Sequence, residues 1–222
     1  MASRRIGPAD LPEVVSLFPL PGALLLPRSN LPLHIFEPRY LAMVEDALRS
    51  PLRLIAMIAT AGSPAADPQP EGVRLSPIGC AGRITRFQEM DDGRLMITLT
   101  GVSRFRLRDE VAGFTPWRRA HADWTPFARD LGPQETDPGL DRGALLPLFT
   151  RFLGTRNLSI DAQALAAAGD EDLINAMSMI GPFPPEDKQA LLEAPSLPTR
   201  RETLVTLMEF ALRGGTSENP LQ

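Results

Sequence analysis

The chain has 222 residues, 43% of them hydrophobic and 23% charged, with a formal net charge of -4 and a pI of about 5.3. Such a chain can bury a sizeable core and is not a disordered one, and its acidic balance argues against a partner held mainly through phosphate charge. The single cysteine, Cys80, excludes an intrachain disulfide and a cysteine metal cluster, and two histidines, His34 and His121, without HxxxH spacing argue against a zinc centre; no cofactor is expected.

The N-terminus carries Arg4 and Arg5 but no apolar run behind them, which makes it a poor secretory signal. The run Leu17 to Leu26 is interrupted by Pro19 and Pro21, and a spanning helix needs about 20 apolar residues. A soluble, cytoplasmic protein with no membrane partner is expected.

Between Ser16 and Leu48 five prolines divide a mostly apolar stretch. "EVVSLF" before Pro19 reads as a strand, "GALLL" between Pro21 and Pro27 as a second strand or an extended segment, and "PLHIF" from Pro32 as a third. Glu37 precedes Pro38 and must be extended. A helix opening at Pro38 loses little by lacking that N–H. Leu41, Val44 and Leu48 would be its apolar stripe and Glu45 and Arg49 an i, i+4 pair. "RLIAMIAT", Arg53 to Thr60, is a continuous apolar run typical of a buried strand. "AGSPAADPQPEG", Ala61 to Gly72, is a long loop, mobile or functional.

The clearest pattern follows. Asp92-Gly93 marks a hairpin turn; Leu95, Ile97 and Leu99 then alternate with Met96, Thr98 and Thr100, and Phe105 and Leu107 with Arg104, Arg106 and Arg108. "RRAHADW" adds one more strand. Residues 1–124 are therefore expected to form a small barrel-like sheet domain with one helix, and 125–139 a linker. Residues 140–214 read as a helical subdomain: a helix through "LLPLFTRFL", Asp161 capping "AQALAAAG", Asp170 capping "EDLINAMSMI" with a stripe at Leu173, Ala176, Met177 and Ile180, Pro185 opening the next, and a Thr199/Glu202 capping box before the last, which stops at Gly214. Residues 215–222 are expected to be a disordered tail.

Several chemistries lack their residues. The only lysine, Lys188, lies in "PPEDKQ", so there is no P-loop, and a Ser–Lys dyad would have to use a lysine on a charged first turn. No GxSxG elbow occurs. His34 and His121 sit within strand patterns, and Cys80 lies beside Gly79 and Ala81; structural roles suit all three, although a small hydrolase built on either histidine is an alternative. For binding, Arg104, Arg106 and Arg108 would project from one strand face with Arg83 or Arg86 beside them, either an anionic-ligand stripe or a solvated face. Phe36 and Tyr40 flank the strand-to-helix corner, either as a peptide pocket or as core.

"LFPLPGALLLPRSNLPLHIFEPRYLAMVEDAL" and "IGCAGRITRFQEMDDGRLMITLTGVSRFRL", in that order and followed by a helical tail, resemble the Lon protease N-terminal (substrate-binding) domain. The likeness is strong over about Val14 to Arg108 and looser in the helical half. Its motif positions here are Phe18, Pro19, Pro32, Leu33, Phe36, Glu37, Arg39, Tyr40, Gly101 and Arg104. The resemblance implies an α+β fold, a PUA-like twisted β-domain followed by a helical bundle. It also implies a stand-alone substrate-binding domain without the ATPase and peptidase domains. Expected partners are unfolded or extended protein segments, together with an ATP-dependent protease for which the chain would be an adaptor or regulator. Candidate peptide-binding residues are Phe36, Glu37, Arg39, Tyr40, Arg104 and Arg106. RNA binding, known in PUA-like folds, is the alternative from another class.

Overall fold

The computed structural model describes residues 7–60 and 73–214. The chain divides into two units, Met1–Pro133 and Gln134–Gln222.

The first unit is built on one mixed sheet. Its strands are β1 (Val14–Pro19), β2 (Asn30–Ile35), β3 (Leu54–Ile58), β4 (Ile78–Glu89), β5 (Leu95–Glu110) and β6 (Arg119–Asp123), and helix α1 (Pro38–Arg49) lies between β2 and β3. The order is β2-β5-β4-β3-β1-β6, with a further β5–β6 pairing. β5 makes this possible by its length. Its first half pairs with β2 from Leu95 to Thr100, and its end turns to β6 through Arg106 and Leu107. The strands from β5 round to β6 therefore close on themselves, and β2 is left as an edge.

β3 explains the unbroken apolar run of the sequence, since all five of its residues are buried. Leu54, Ala56 and Ile58 join a cluster with Val15, Leu17, Phe105 and Trp124, while α1 packs against the same strand, so both faces are covered. Side chains as deep as Leu17 and Phe105, fully shielded from solvent, each stabilise by about 1.5–3 kcal/mol.

Local signals held where chain geometry dictated them. α1 starts at Pro38, and the β4–β5 hairpin turns at Asp92-Gly93 with Gly93 at φ 78° and the Met90 carbonyl accepting from Gly93 N–H at 2.9 Å. "GALLL" is extended without strand pairing, its Leu24, Leu25 and Leu26 buried. Gly101 explains how that segment lies so close: a Cβ there would sit 2.0 Å from the Leu26 carbonyl oxygen.

The stripe of α1 is Tyr40, Met43, Val44 and Ala47. Of the expected Leu41, Val44 and Leu48 it keeps Val44, while Tyr40 and Ala47 replace their neighbours Leu41 and Leu48, with Tyr40 turned inward against Phe18, ring centroids 4.3 Å apart. Glu45 and Arg49 are exposed and make no ion pair among the described residues.

Residues 125–139 divide between the units. A 3-10 helix, Thr125–Leu131, lies against β5 in the first. Glu135 and Asp137 belong to the second: the Glu135 backbone N–H donates to Glu171 and the Asp137 carboxylate accepts from Arg201. The expected tail 215–222 and the loop Ala61 to Gly72 lie outside the described residues.

The second unit comprises α2 (Arg142–Gly154), α3 (Ala162–Ala167), α4 (Asp170–Ile180), α5 (Pro185–Glu193) and α6 (Leu197–Gly214). α6 touches α2, α4 and α5. Buried Arg200 ties it to the others, donating to the Leu191 carbonyl at 3.0 Å and to Asn175 Oδ1 at 2.9 Å. Two cap assignments shift. Gly169, not Asp170, precedes α4, and Asp170 instead accepts from Arg142 at 2.6 Å. α6 begins one turn before the expected capping box, with Ser196 Oγ accepting from Thr199 N–H at 3.3 Å. Ile180, expected in the buried stripe, is 51% exposed at the end of α4.

Candidate functional site

The corner between β2 and α1 is set by Pro38, which holds Glu37 extended at φ −72°, ψ 130°. From there the side chains part. Tyr40 is buried, while Phe36, just past the end of β2, is 61% exposed, its ring 6.0 Å from that of His34. Arg39 bends back over Tyr40, its guanidinium carbon 4.6 Å from the ring centre, and donates to Glu37 Oε2 through Nε at 3.0 Å and Nη2 at 2.6 Å. The Glu37–Arg39 pair thus forms within the corner. Burial raises the Tyr40 phenol above its ordinary pKa; Arg39 opposes this and Glu37 adds to it.

Tyr40 and Arg39 are one wall of a cleft of about 450 Å³ in the first unit, within the range of ligand sites. The end of β1 (Pro19) and the following turn (Pro21) continue that wall, and the β5–β6 connection, from Glu110 to Arg119, forms the other. Two anchors fix this connection. Trp117 Nε1 donates to Ser16 Oγ at 3.0 Å. Arg118 pairs with Glu110 through both its Nε and Nη2 and donates through Nη1 to the Val73 carbonyl at 3.0 Å. The Arg118 hydrogen bond holds the Glu110 carboxyl below the usual carboxylate range. Phe114, at the tip of the connection, is fully exposed. The cleft thus combines apolar rings with arginine–carboxylate pairs.

The arginine stripe does not form. Arg104 is buried against Asp130, with Nε to Oδ2 at 2.9 Å, Nη2 to Oδ1 at 2.8 Å and the backbone N–H to Oδ2 at 2.9 Å, and its guanidinium lies over Phe127. Arg108 pairs with Asp123. Arg106 alone is exposed without an ion pair among the described residues. Arg83 and Arg86 stand opposite Thr100 and Thr98, away from the others. The reason is the 3-10 helix, which covers the outer face of β5 at Arg104 and supplies Asp130. His34 is exposed on β2, and His121 Nδ1 lies 3.0 Å from Asp109 Oδ2 on the surface; the two are on separate strands, and no metal-binding group of histidine, cysteine and carboxylates occurs among the described residues. No helix of the described residues is long and apolar enough to cross a membrane.

Of the six residues expected at a peptide site, Arg39 and Tyr40 line the cleft, Glu37 reaches it through Arg39, and Phe36, Arg104 and Arg106 lie elsewhere. Sequence reasoning missed the β5–β6 connection. An exposed-type aromatic pair, Phe114 and Trp117, around Pro116 in "GFTPWRR", between two strands, was the available signal.

Residues 14–209 match the family of the ATP-dependent protease La (LON) substrate-binding domain. Among curated relatives, Lon protease 2 of Sorangium cellulosum is 26% identical over 200 residues, covering 86% of this chain and 24% of that protein; Lon protease of Desulfosudis oleivorans is 32% identical over 102 residues, 46% of this chain and 12% of its own length. The chain thus spans about a quarter or less of these relatives. Among solved structures, a Lon N-terminal domain protein from Xanthomonas campestris superposes with a TM-score of 0.59 at 22% identity, covering 87% of this chain and 97% of that one. The N-terminal domain of Mycobacterium avium complex Lon protease gives 0.59 at 13%, covering 88% and 98%. Both share the α+β fold.

Proposed function

The chain belongs to the LON substrate-binding domain family, and we propose that it is a non-catalytic module that holds extended, apolar segments of other proteins in the cleft between Tyr40 and the β5–β6 connection. The observation that carries this reading is the cleft itself. Its size suits a few residues of chain, Tyr40, Trp117, Pro19 and Pro21 offer apolar contact, and Arg39, Arg118 and Arg119 offer donors beside them. Aromatic and arginine side chains in a shielded pocket are the groups that carry most binding energy at protein interfaces. Such a module would serve ATP-dependent proteolysis as an adaptor or regulator, presenting or withholding segments, with no bond-making step of its own.

The test is fluorescence anisotropy with a labelled apolar peptide. Trp117→Ala should weaken binding by about tenfold or more, whereas Arg106→Ser, on the exposed side of β5, should leave it unchanged. Thermal melts check that both variants are folded. Binding indifferent to Trp117 in a folded variant would refute this site.

A further inference from the structure

We infer that the cleft reads chain ends: Arg119 receives the free C-terminal carboxylate of a bound segment while Tyr40 and Trp117, facing each other from the two walls, receive that segment's last, apolar side chain. This rests on the reading of the cleft as a protein-segment site.

Three arginines line the cleft. Arg39 is bonded to Glu37, and Arg118 to Glu110 and the Val73 carbonyl. Arg119 is half-buried, its Nε is shielded from solvent without a hydrogen-bond partner, and its guanidinium has no ion pair among the described residues. Arg104, the buried arginine of this unit, is by contrast paired with Asp130. A shielded N–H without an acceptor is costly, and a carboxylate supplies two acceptors that match the guanidinium fork. The space beside it is kept open by Gly113, where a Cβ would lie 2.8 Å from Arg119 Nη2.

A chain end fits better than an internal acid. In an extended segment neighbouring side chains point to opposite faces, so an internal Asp or Glu and its apolar neighbour cannot both enter one cleft. The last residue of a chain carries its carboxylate and its side chain on the same carbon, and so delivers both together.

The test uses the full chain and short labelled peptides identical in sequence and ending in Leu. One has a free C-terminal carboxylate, one a C-terminal amide, and a third an amide with an internal Asp. The free acid should bind about tenfold more tightly than the amide, the internal Asp should not restore the loss, and Arg119→Gln should abolish the difference between acid and amide. Equal binding of acid and amide to the unmodified protein would overturn the inference while leaving the cleft as a peptide site. Rescue by the internal Asp would replace the chain end with an acidic side chain and overturn it too. Binding of none of the peptides would overturn the peptide site itself. The acid-to-amide comparison needs no variant, so it stands even if Arg119→Gln fails to fold.

Discussion

Removing the Asp130 carboxylate strands Arg104. The Arg104 and Asp130 side chains are 4% and 2% exposed, and the carboxylate accepts two guanidinium bonds at 2.8 and 2.9 Å and one from the Arg104 backbone N–H at 2.9 Å. Asp130→Ala leaves a buried cation with its nearest acceptors gone, a change that costs about 3–5 kcal/mol. Against a total stability of about 5–15 kcal/mol for a domain, that is a large share of what holds the first unit together. Urea denaturation followed by tryptophan fluorescence, with Trp117 and Trp124 both in this unit, reads the loss directly. Replacing both residues, Arg104→Leu with Asp130→Leu, should recover much of it, because the two desolvation penalties go together. A loss below about 1 kcal/mol for Asp130→Ala would place the pair among solvent-screened surface bridges and refute its burial. Peptide binding by the folded fraction should be unchanged, since Arg104 does not line the cleft.

At Gly101 a new methyl would meet the Leu26 carbonyl oxygen at 2.0 Å and the Pro27 Cα at 3.1 Å, both backbone atoms, so Gly101→Ala should destabilise the first unit by about 3 kcal/mol in the same urea assay; a neutral effect would contradict the close approach. Tyr40 is the only tyrosine, so tyrosinate absorbance reports it alone. Its midpoint should lie above 10.0 in the folded protein, because burial opposes the phenolate. The unfolded chain ionises first, so the contribution of Tyr40 to stability is complete below about pH 10 and is lost as pH rises through the folded value. A midpoint at or below the ordinary value would place the phenol in water.

What the sequence made legible was whatever local chemistry decides by itself. Pro38 fixed the start of α1, Asp92-Gly93 the hairpin, and the alternation from Leu95 to Leu99 the half-buried face of β5. What it hid depends on distant partners. Arg104 looked equal to Arg106 and Arg108, because alternation assigns a face and cannot say that a 3-10 helix some 26 residues later covers one position of it. Tyr40 was seen as a corner aromatic, but the opposite wall of its cleft, Trp117 to Arg119, arrives from another strand junction. Ser196 displaced Thr199 as the cap of α6 because two hydroxyls three residues apart satisfy the same rule, and only the tertiary register of the helix selects between them.

The most direct measurement of the central claim is to locate a bound segment. A benzophenone-bearing peptide ending in Leu, photo-crosslinked to the full chain and mapped by mass spectrometry, should form adducts within the β5–β6 connection at 111–119 and at the Pro19 to Pro21 turn. Adducts confined to the exposed surface around Phe36 and Met96, or to the second unit, with none in the cleft, would contradict the account.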